Sequence, residues 1–233
     1  MYKNIMLKIS GESLAGDSEQ GFDFDILNDL SDNIKKLTDK KIRISIVLGG
    51  GNFIRGSTFS NGVVDRVTSD YMGMLGTVMN SLALQSNLEK VGVPSRVMTA
   101  ISINRVAEPY IKNKATRHLE KNRVVIFASG TGNPFFSTDT AAVLRASEMK
   151  SDIILKGTKV DGIYDKDPYK FDNAKKISNI SYSDYLNKDI KVMDATAISL
   201  AKDRNIPIII FSILKSSNIL DIIDGKGSYS LIS

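Results

Sequence analysis

Four short loops hold the residues that could do chemistry. Lys8-Ile9-Ser10-Gly11-Glu12-Ser13, Gly49-Gly50-Gly51-Asn52, Ser129-Gly130-Thr131-Gly132-Asn133-Pro134 and Lys156-Gly157-Thr158-Lys159 combine glycine with hydroxyl, amide or lysine groups, and each follows an apolar run. Backbone without side chains lets amide N–H groups come close to a phosphate, and a helix starting just beyond adds the positive end of its dipole. Lys8 lies inside the run Ile5–Ile9 and Lys156 closes another. A lysine in such a run calls for an anionic partner; the competing reading is an edge-strand lysine reaching out to water. Two lysines beside two glycine loops suit phosphoryl transfer, in which negative charge spreads over the equatorial oxygens and must meet positioned cations and amides.

The familiar phosphate loops are absent. Gly51 to Thr58 has the spacing of a Walker A loop, but Ser57 stands where lysine is required. Neither Gly49-x-Gly51 nor Gly130-x-Gly132 continues to the third glycine of a dinucleotide fingerprint. Other candidates have plain structural readings. Thr138 suits a helix N-cap with Asp139 in the first turn. Asp70 suits a solvated helix face, Asp167-Pro168 a turn, and Met72, Met74 and Met79 core filling.

The elements that must hold these loops alternate, as in an α/β fold with a mostly parallel sheet. Strands are predicted at Ile5–Ile9, Ile42–Leu48, Arg96–Met98, Val124–Ala128, Asp152–Leu155 and Ile208–Phe211. Leu27, Leu30, Ile34 and Leu37 line one helix; a long helix over Asp65–Lys90 carries Val67, Tyr71, Met74, Val78 and Leu82 at steps of three and four. Further helices are predicted near Pro109–Glu120, Asp139–Met149 and Asp194–Asp203. The segment Asp161–Ser181 breaks the alternation and reads as a surface excursion or a ligand-covering loop. With no repeat and no linker-like run, one domain over residues 1–233 is the economical reading.

Composition narrows the function classes. The 233 residues are 42% hydrophobic and 24% charged, which describes an ordinary globular chain rather than a disordered or fibrous one. The longest apolar stretch, Ile206–Phe211, is far short of the roughly 18 residues of a membrane span. With no cysteine, disulfides, thiol catalysis and Cys-ligated zinc drop out together. The first residues do not resemble a signal peptide, so a cytoplasmic location is expected. The lone His118 excludes a two-imidazole site and reads as a solvated residue on a polar helix. The net charge of +5 is spread thinly, without the clustering a nucleic-acid surface needs; it fits a binder of small phosphorylated molecules.

On these residues the chain resembles the bacterial uridylate (UMP) kinases of the amino acid kinase superfamily. The runs Met6 to Ser13, Gly49 to Gly56, Asp70 to Asn80, Gly130 to Asp139 and Lys156 to Gly162 carry the resemblance, which extends from residue 3 to about 232. It implies a three-layer α/β/α sandwich around a mostly parallel sheet, assembled as a homohexamer. It implies transfer of the γ-phosphoryl group of Mg²⁺-ATP to UMP in pyrimidine nucleotide biosynthesis, with UTP as feedback inhibitor. By resemblance Lys8, Asp139 and Lys156 are catalytic. Lys8, Ile9, Ser10, Gly11, Gly51 and Arg55 lie around the ATP phosphates, and Thr158, Tyr164 and Asp167 around the adenosine, where relatives often have Phe for Tyr164. Gly50, Asp70, Thr131, Gly132, Asn133, Pro134, Phe135, Phe136, Ser137 and Thr138 hold UMP, with Asp70 near the ribose and Asn133 and Thr138 near the uracil. The stretch Gly16–Asp25 departs from the family's GTP-activation loop, being one residue longer and more acidic. Two other readings are kept: a relative acting on a carboxylate or carbamate, which has no use for a uracil pocket, and a nucleotide-binding regulator without catalysis, against which Lys8 and Asp139 argue.

Overall fold

The computed structural model describes residues 2–18, 20–54 and 64–233. The short apolar runs become buried strands because each is covered on both faces, the normal state of a parallel sheet. They are β1 (Asn4–Ile9), β2 (Arg43–Leu48), β3 (Ser95–Thr99), β5 (Val124–Ala128), β6 (Ile153–Thr158) and β10 (Ile208–Ser212), with the short half-buried β4 (Glu108–Pro109) at one edge and β11 (Tyr229–Ile232) and β9 (Asn179–Ile180) at the other. Their order is β4-β3-β5-β2-β1-β6-β10-β11-β9, and only the β10–β11 pair is antiparallel. The pair β7 (Ile163–Tyr164) and β8 (Lys176–Ile177) forms a separate antiparallel ribbon.

The helices are α1 (Gly11–Leu14), α2 (Phe24–Asp39), α3 (Arg66–Lys90), α4 (Lys112–Glu120), α5 (Thr138–Met149), α6 (Tyr182–Asn187), α7 (Ala195–Arg204) and α8 (Asn218–Ile223). Side-chain alternation divides the core into two layers. Ile5, Leu7 and Ile9 of β1 pack with Leu30 and Ile34 of α2, Val78 and Leu84 of α3 and Ile219 of α8. Met6, with Val47 and Ile154 of the neighbouring strands, packs with Leu119 of α4, Ala142 of α5, Tyr185 of α6 and Ala197 of α7. This is the three-layer α/β/α arrangement around a mostly parallel sheet that the resemblance implies. No helix among the described residues is long and apolar enough to cross a membrane.

The strand order reverses at β1, with β2 to β5 on one side and β6 and β10 on the other. In such sheets the crevice at the carboxyl ends beside the reversal is where ligands bind. Lys8 and Lys156 stand there, in register with each other on adjacent strands.

Some local expectations are corrected. Ser137, not Thr138, caps α5, its hydroxyl accepting from the N–H groups of Asp139 and Thr140. On α3 the predicted stripe is rotated: Val67 and Tyr71 are exposed, as is Met79, expected as core filling, while Thr77, Asn80 and Ser81 are buried with Met74 and Val78. His118 is largely covered, its ring nitrogens within 3.2 Å of a Glu108 carboxylate oxygen and 3.1 Å of the Arg123 guanidinium. Part of the Asp161–Ser181 excursion is the β7–β8 ribbon and β9.

Candidate active site

Lys8 and Lys156 are two residues beyond Met6 and Ile154 on their strands, so the pleat aims both toward the α5 layer. There they meet Asp139, in the first turn of α5. Asp139 Oδ1 lies 2.8 Å from Lys8 Nζ, and Asp139 Oδ2 accepts from Lys156 Nζ at 2.5 Å. All three are under a tenth exposed, in the middle of the sheet, which removes the edge-strand reading of both lysines. Lys156 Nζ also donates to the Val192 carbonyl at 2.5 Å. Burial pushes the Asp139 carboxyl up, but the ammoniums of Lys8 and Lys156 outweigh it and hold it below the usual carboxylate value. Burial, helped by the Lys8 charge, pulls Lys156 down to about 8, against the upward pull of Asp139. Asp139 is anchored by its backbone. Ser137 Oγ accepts from Asp139 N–H at 3.0 Å and gives its own proton to Asp194, which also accepts from Thr140 Oγ1 and caps α7.

The glycine loops meet beside this centre. A Cβ on Gly11 would lie 2.5 Å from Asn52 Oδ1 and 2.7 Å from Gly51 N, and one on Gly50 would lie 2.4 Å from the Gly73 carbonyl of α3. These glycines are therefore required by close backbone packing as well as by any approach to phosphate. Asn52, the amide of the glycine loop, and Asn80 lock the loop by exchanging amide hydrogen bonds of 2.9 and 2.7 Å, and Asn80, whose part the sequence reading did not foresee, also donates to Gly49 O at 2.6 Å. Ser10 caps α1, and Ile9 is core, its carbonyl accepting from Gly49 N–H. Arg55 lies outside the described residues.

An open cleft of about 600 Å³ runs between this loop, α3 and the segment after β5. Gly50, Gly51, Asp70, Thr131, Phe136 and Thr138 line it, joined by Ser69, Gly73, Met74 and Thr77 of α3, which the sequence reading did not assign to it. Spacing of three and four on one helix face was the available signal. Gly132, Asn133, Pro134, Phe135 and Ser137 are not among the lining residues; Ser137 is turned to its cap. The segment is shaped by left-handed backbone at Ser129, Gly130, Gly132 and Phe135. Phe135, with φ of 72°, is an unusual residue for that region, and its N–H donates to Asp70 Oδ2 at 2.7 Å. Asp70, also paired with Arg66, is thus a tether between α3 and the loop rather than a solvated helix aspartate.

A second groove begins on the other side of Asp139. A hollow of about 760 Å³ lined by Ser137, Asp139, Tyr185, Met193 and Asp194 adjoins one of about 1030 Å³ that includes Tyr164, Asp167 and Pro168. Both are bordered by Asp189, Ile190 and Lys191, so the groove leads from the buried charges to the β7 ribbon. Thr158 is outside these walls, its hydroxyl bonded to Val160. Tyr164 donates to Asp161 at 2.6 Å, and that bond, with burial, pushes its hydroxyl up to about 12. Burial pushes Asp161 up, and bonds from Lys176, Tyr164 and Ser228 outweigh it, leaving the carboxyl at about 2. Asp167 forms the expected turn, accepting from Tyr169 N–H. Among the described residues no three His, Asp or Glu side chains are grouped to chelate a metal.

The amino acid kinase family model matches residues 3–212. The crystal structure of a UMP kinase from Bacillus anthracis superposes with a TM-score of 0.95 at 39% identity, covering 100% of this chain and 96% of that one. A UMP kinase from Ureaplasma parvum gives 0.95 at 40% identity, covering 100% and 99%. A uridylate kinase from Archaeoglobus fulgidus, at 22% identity and a TM-score of 0.74 over 98% and 99% of the chains, shares the fold.

Proposed function

Because the chain belongs to the amino acid kinase family, we propose that it is a UMP kinase, transferring the γ-phosphoryl group of ATP to UMP and releasing UDP and ADP. The observation that carries this reading is the placing of two consecutive residues. Thr138 lines the smaller cleft and Asp139 the longer groove, with two buried lysines at the divide. A monophosphate in the cleft and a triphosphate in the groove would bring their phosphates together at the amino end of α5. The resemblance to UMP kinases of about 40% identity supports the choice of substrates.

A phosphate oxygen of UMP attacks the γ-phosphorus, the bond to the β–γ bridging oxygen breaks, and ADP departs with that oxygen. Lys8 and Lys156 supply positive charge to the transferring group, and the positive end of the α5 dipole, whose N–H groups at Asp139 and Thr140 are held by the Ser137 cap, lies beside them. The nucleophile needs no base, since a phosphate monoester has lost its second proton above about pH 6. Asp139, held below the usual carboxylate range, is a poor proton acceptor; its work is to hold both ammoniums. Magnesium would travel with the triphosphate, bound mainly by phosphate oxygens and water. When bound it neutralises the donor phosphates.

Tyr164 and Asp167 flank the adenosine end of the groove in this reading, and Asp70 meets the ribose of UMP. A homohexamer, UTP inhibition, a cytoplasmic location and a place in pyrimidine nucleotide biosynthesis belong to the same proposal. Release of ADP from Mg²⁺-ATP, followed with UMP, CMP, dUMP and glutamate in turn, tests it. UMP is expected to be the preferred acceptor, and absence of turnover with UMP overturns the reading. Sedimentation and inhibition by added UTP check the assembly and the regulation.

A further inference from the structure

Glycine is a poor choice inside a long helix, because it loses more backbone freedom on folding than alanine does. Nearly every described glycine has a visible reason to be glycine: a left-handed φ, or an atom within 4 Å of where a Cβ would stand. Gly73 has neither. It sits in the interior of α3 with helical backbone, and among the described residues no atom beyond its own stretch of helix lies within 4 Å of its Cβ position. It is also part of the wall of the 600 Å³ cleft.

We propose that Gly73 is a specificity-determining residue: the volume its side chain would fill belongs to the nucleoside monophosphate. This rests on the reading of the cleft as the UMP site. The helix geometry points the same way. At about 3.6 residues per turn, Gly73 shares a face with Asp70 and Thr77, both of which line the cleft. It lies opposite the exposed apolar row Val67, Tyr71, Leu75 and Met79, so the gap does not serve whatever meets that row. The Gly73 carbonyl meanwhile abuts Gly50, fixing this stretch of α3 against the glycine loop. The wall is therefore backbone, and the ligand can come as close to the helix as van der Waals radii permit.

Gly73→Ala and Gly73→Met test this, with kcat and KM measured for both substrates alongside the melting temperature. In Gly73→Ala the methyl enters open space, so the helix gains and melting is expected to rise by about 2–4 °C. KM for UMP is expected to rise about ten- to hundredfold, and further in Gly73→Met, while KM for ATP stays within about twofold. A more stable enzyme that binds its acceptor worse is an outcome a merely structural glycine does not produce. The proposal is overturned if KM for UMP in both variants matches wild type, if KM for ATP rises in parallel, or if Gly73→Ala melts lower, since the methyl would then meet the protein. A changed sedimentation coefficient with unchanged KM would assign the gap to a second copy of the chain and overturn it as well. Failure of the UMP kinase reading itself shows separately, as a wild-type enzyme without UMP turnover.

Discussion

Asp139→Asn removes the counter-ion of two buried ammoniums and keeps the side-chain shape. Breaking a buried ion pair by deleting one partner costs about 3–5 kcal/mol, and with Asp139 only 8% exposed, solvent does little to screen the loss. For a chain of this size the expected fall in melting temperature is roughly 6–20 °C. The protons sharpen the expectation. Lys156 stands at about 8 with Asp139 pulling it upward, so without the carboxylate it falls lower and gives up its proton nearer neutrality. A lysine whose folded value lies below its unfolded value binds fewer protons in the native state over the interval between them, so stability rises with pH there. In wild type that interval begins near 8; in Asp139→Asn it begins lower. The deficit of the variant is therefore expected to shrink as pH rises from about 6 to 8. It also shrinks in strong acid, because the stability from the depressed Asp139 value is present at higher pH and lost as pH falls through its folded value. Urea unfolding across this range, with kcat/KM against pH to report the free enzyme, measures both effects. kcat/KM is expected to fall by a factor on the order of 10²–10³, and its basic limb, expected near 8 in wild type from Lys156, to move to lower pH. A variant within about 1 kcal/mol of wild type near pH 6, or an unmoved basic limb, would refute the argument.

Lys8→Ala is expected to lower kcat by a factor on the order of 10²–10³ with little change in KM for UMP, because in the proposed reaction Lys8 faces the transferring phosphoryl group; single-turnover kinetics check this, and a near-normal kcat removes Lys8 from the chemistry. Asp70→Ala is expected to erode the preference for UMP over dUMP, chiefly by raising KM for UMP, and to lower stability by about 1–2 kcal/mol through loss of the Phe135 N–H bond. Equal UMP/dUMP ratios before and after the change would take Asp70 out of the ribose site.

The apolar runs and their α/β alternation were legible in the sequence because burial on both faces leaves a continuous hydrophobic signature. Strands β2, β5 and β10 and helices α3, α5 and α7 fell within a few residues of their observed bounds. The oddity of Lys8 and Lys156 was legible for the same reason, as charges in apolar runs. Their register on neighbouring strands was not, because β1 and β6 are about 150 residues apart in the chain and pairing at that distance leaves no local trace. Short elements also escaped: α6, α8 and β11 are too brief for periodicity to declare itself.

The residue types of the site were thus written in the sequence, while their duties were assigned by tertiary structure. Thr138 and Ser137 both suit an N-cap by residue type; the cap went to Ser137, whose hydroxyl has Asp194 to receive its proton. Asp70 reads as a surface aspartate until the left-handed Phe135 brings an N–H to it. Gly50 reads as a phosphate loop until α3 places a carbonyl where its side chain would be, and the open space beside Gly73 among the described residues is visible only in the fold. Local sequence determines which backbone conformations and which charges are available. Only the packing of elements remote in the chain decides which atoms share a few ångströms, and hydrogen bonds, ion pairs and steric gaps exist only at that range.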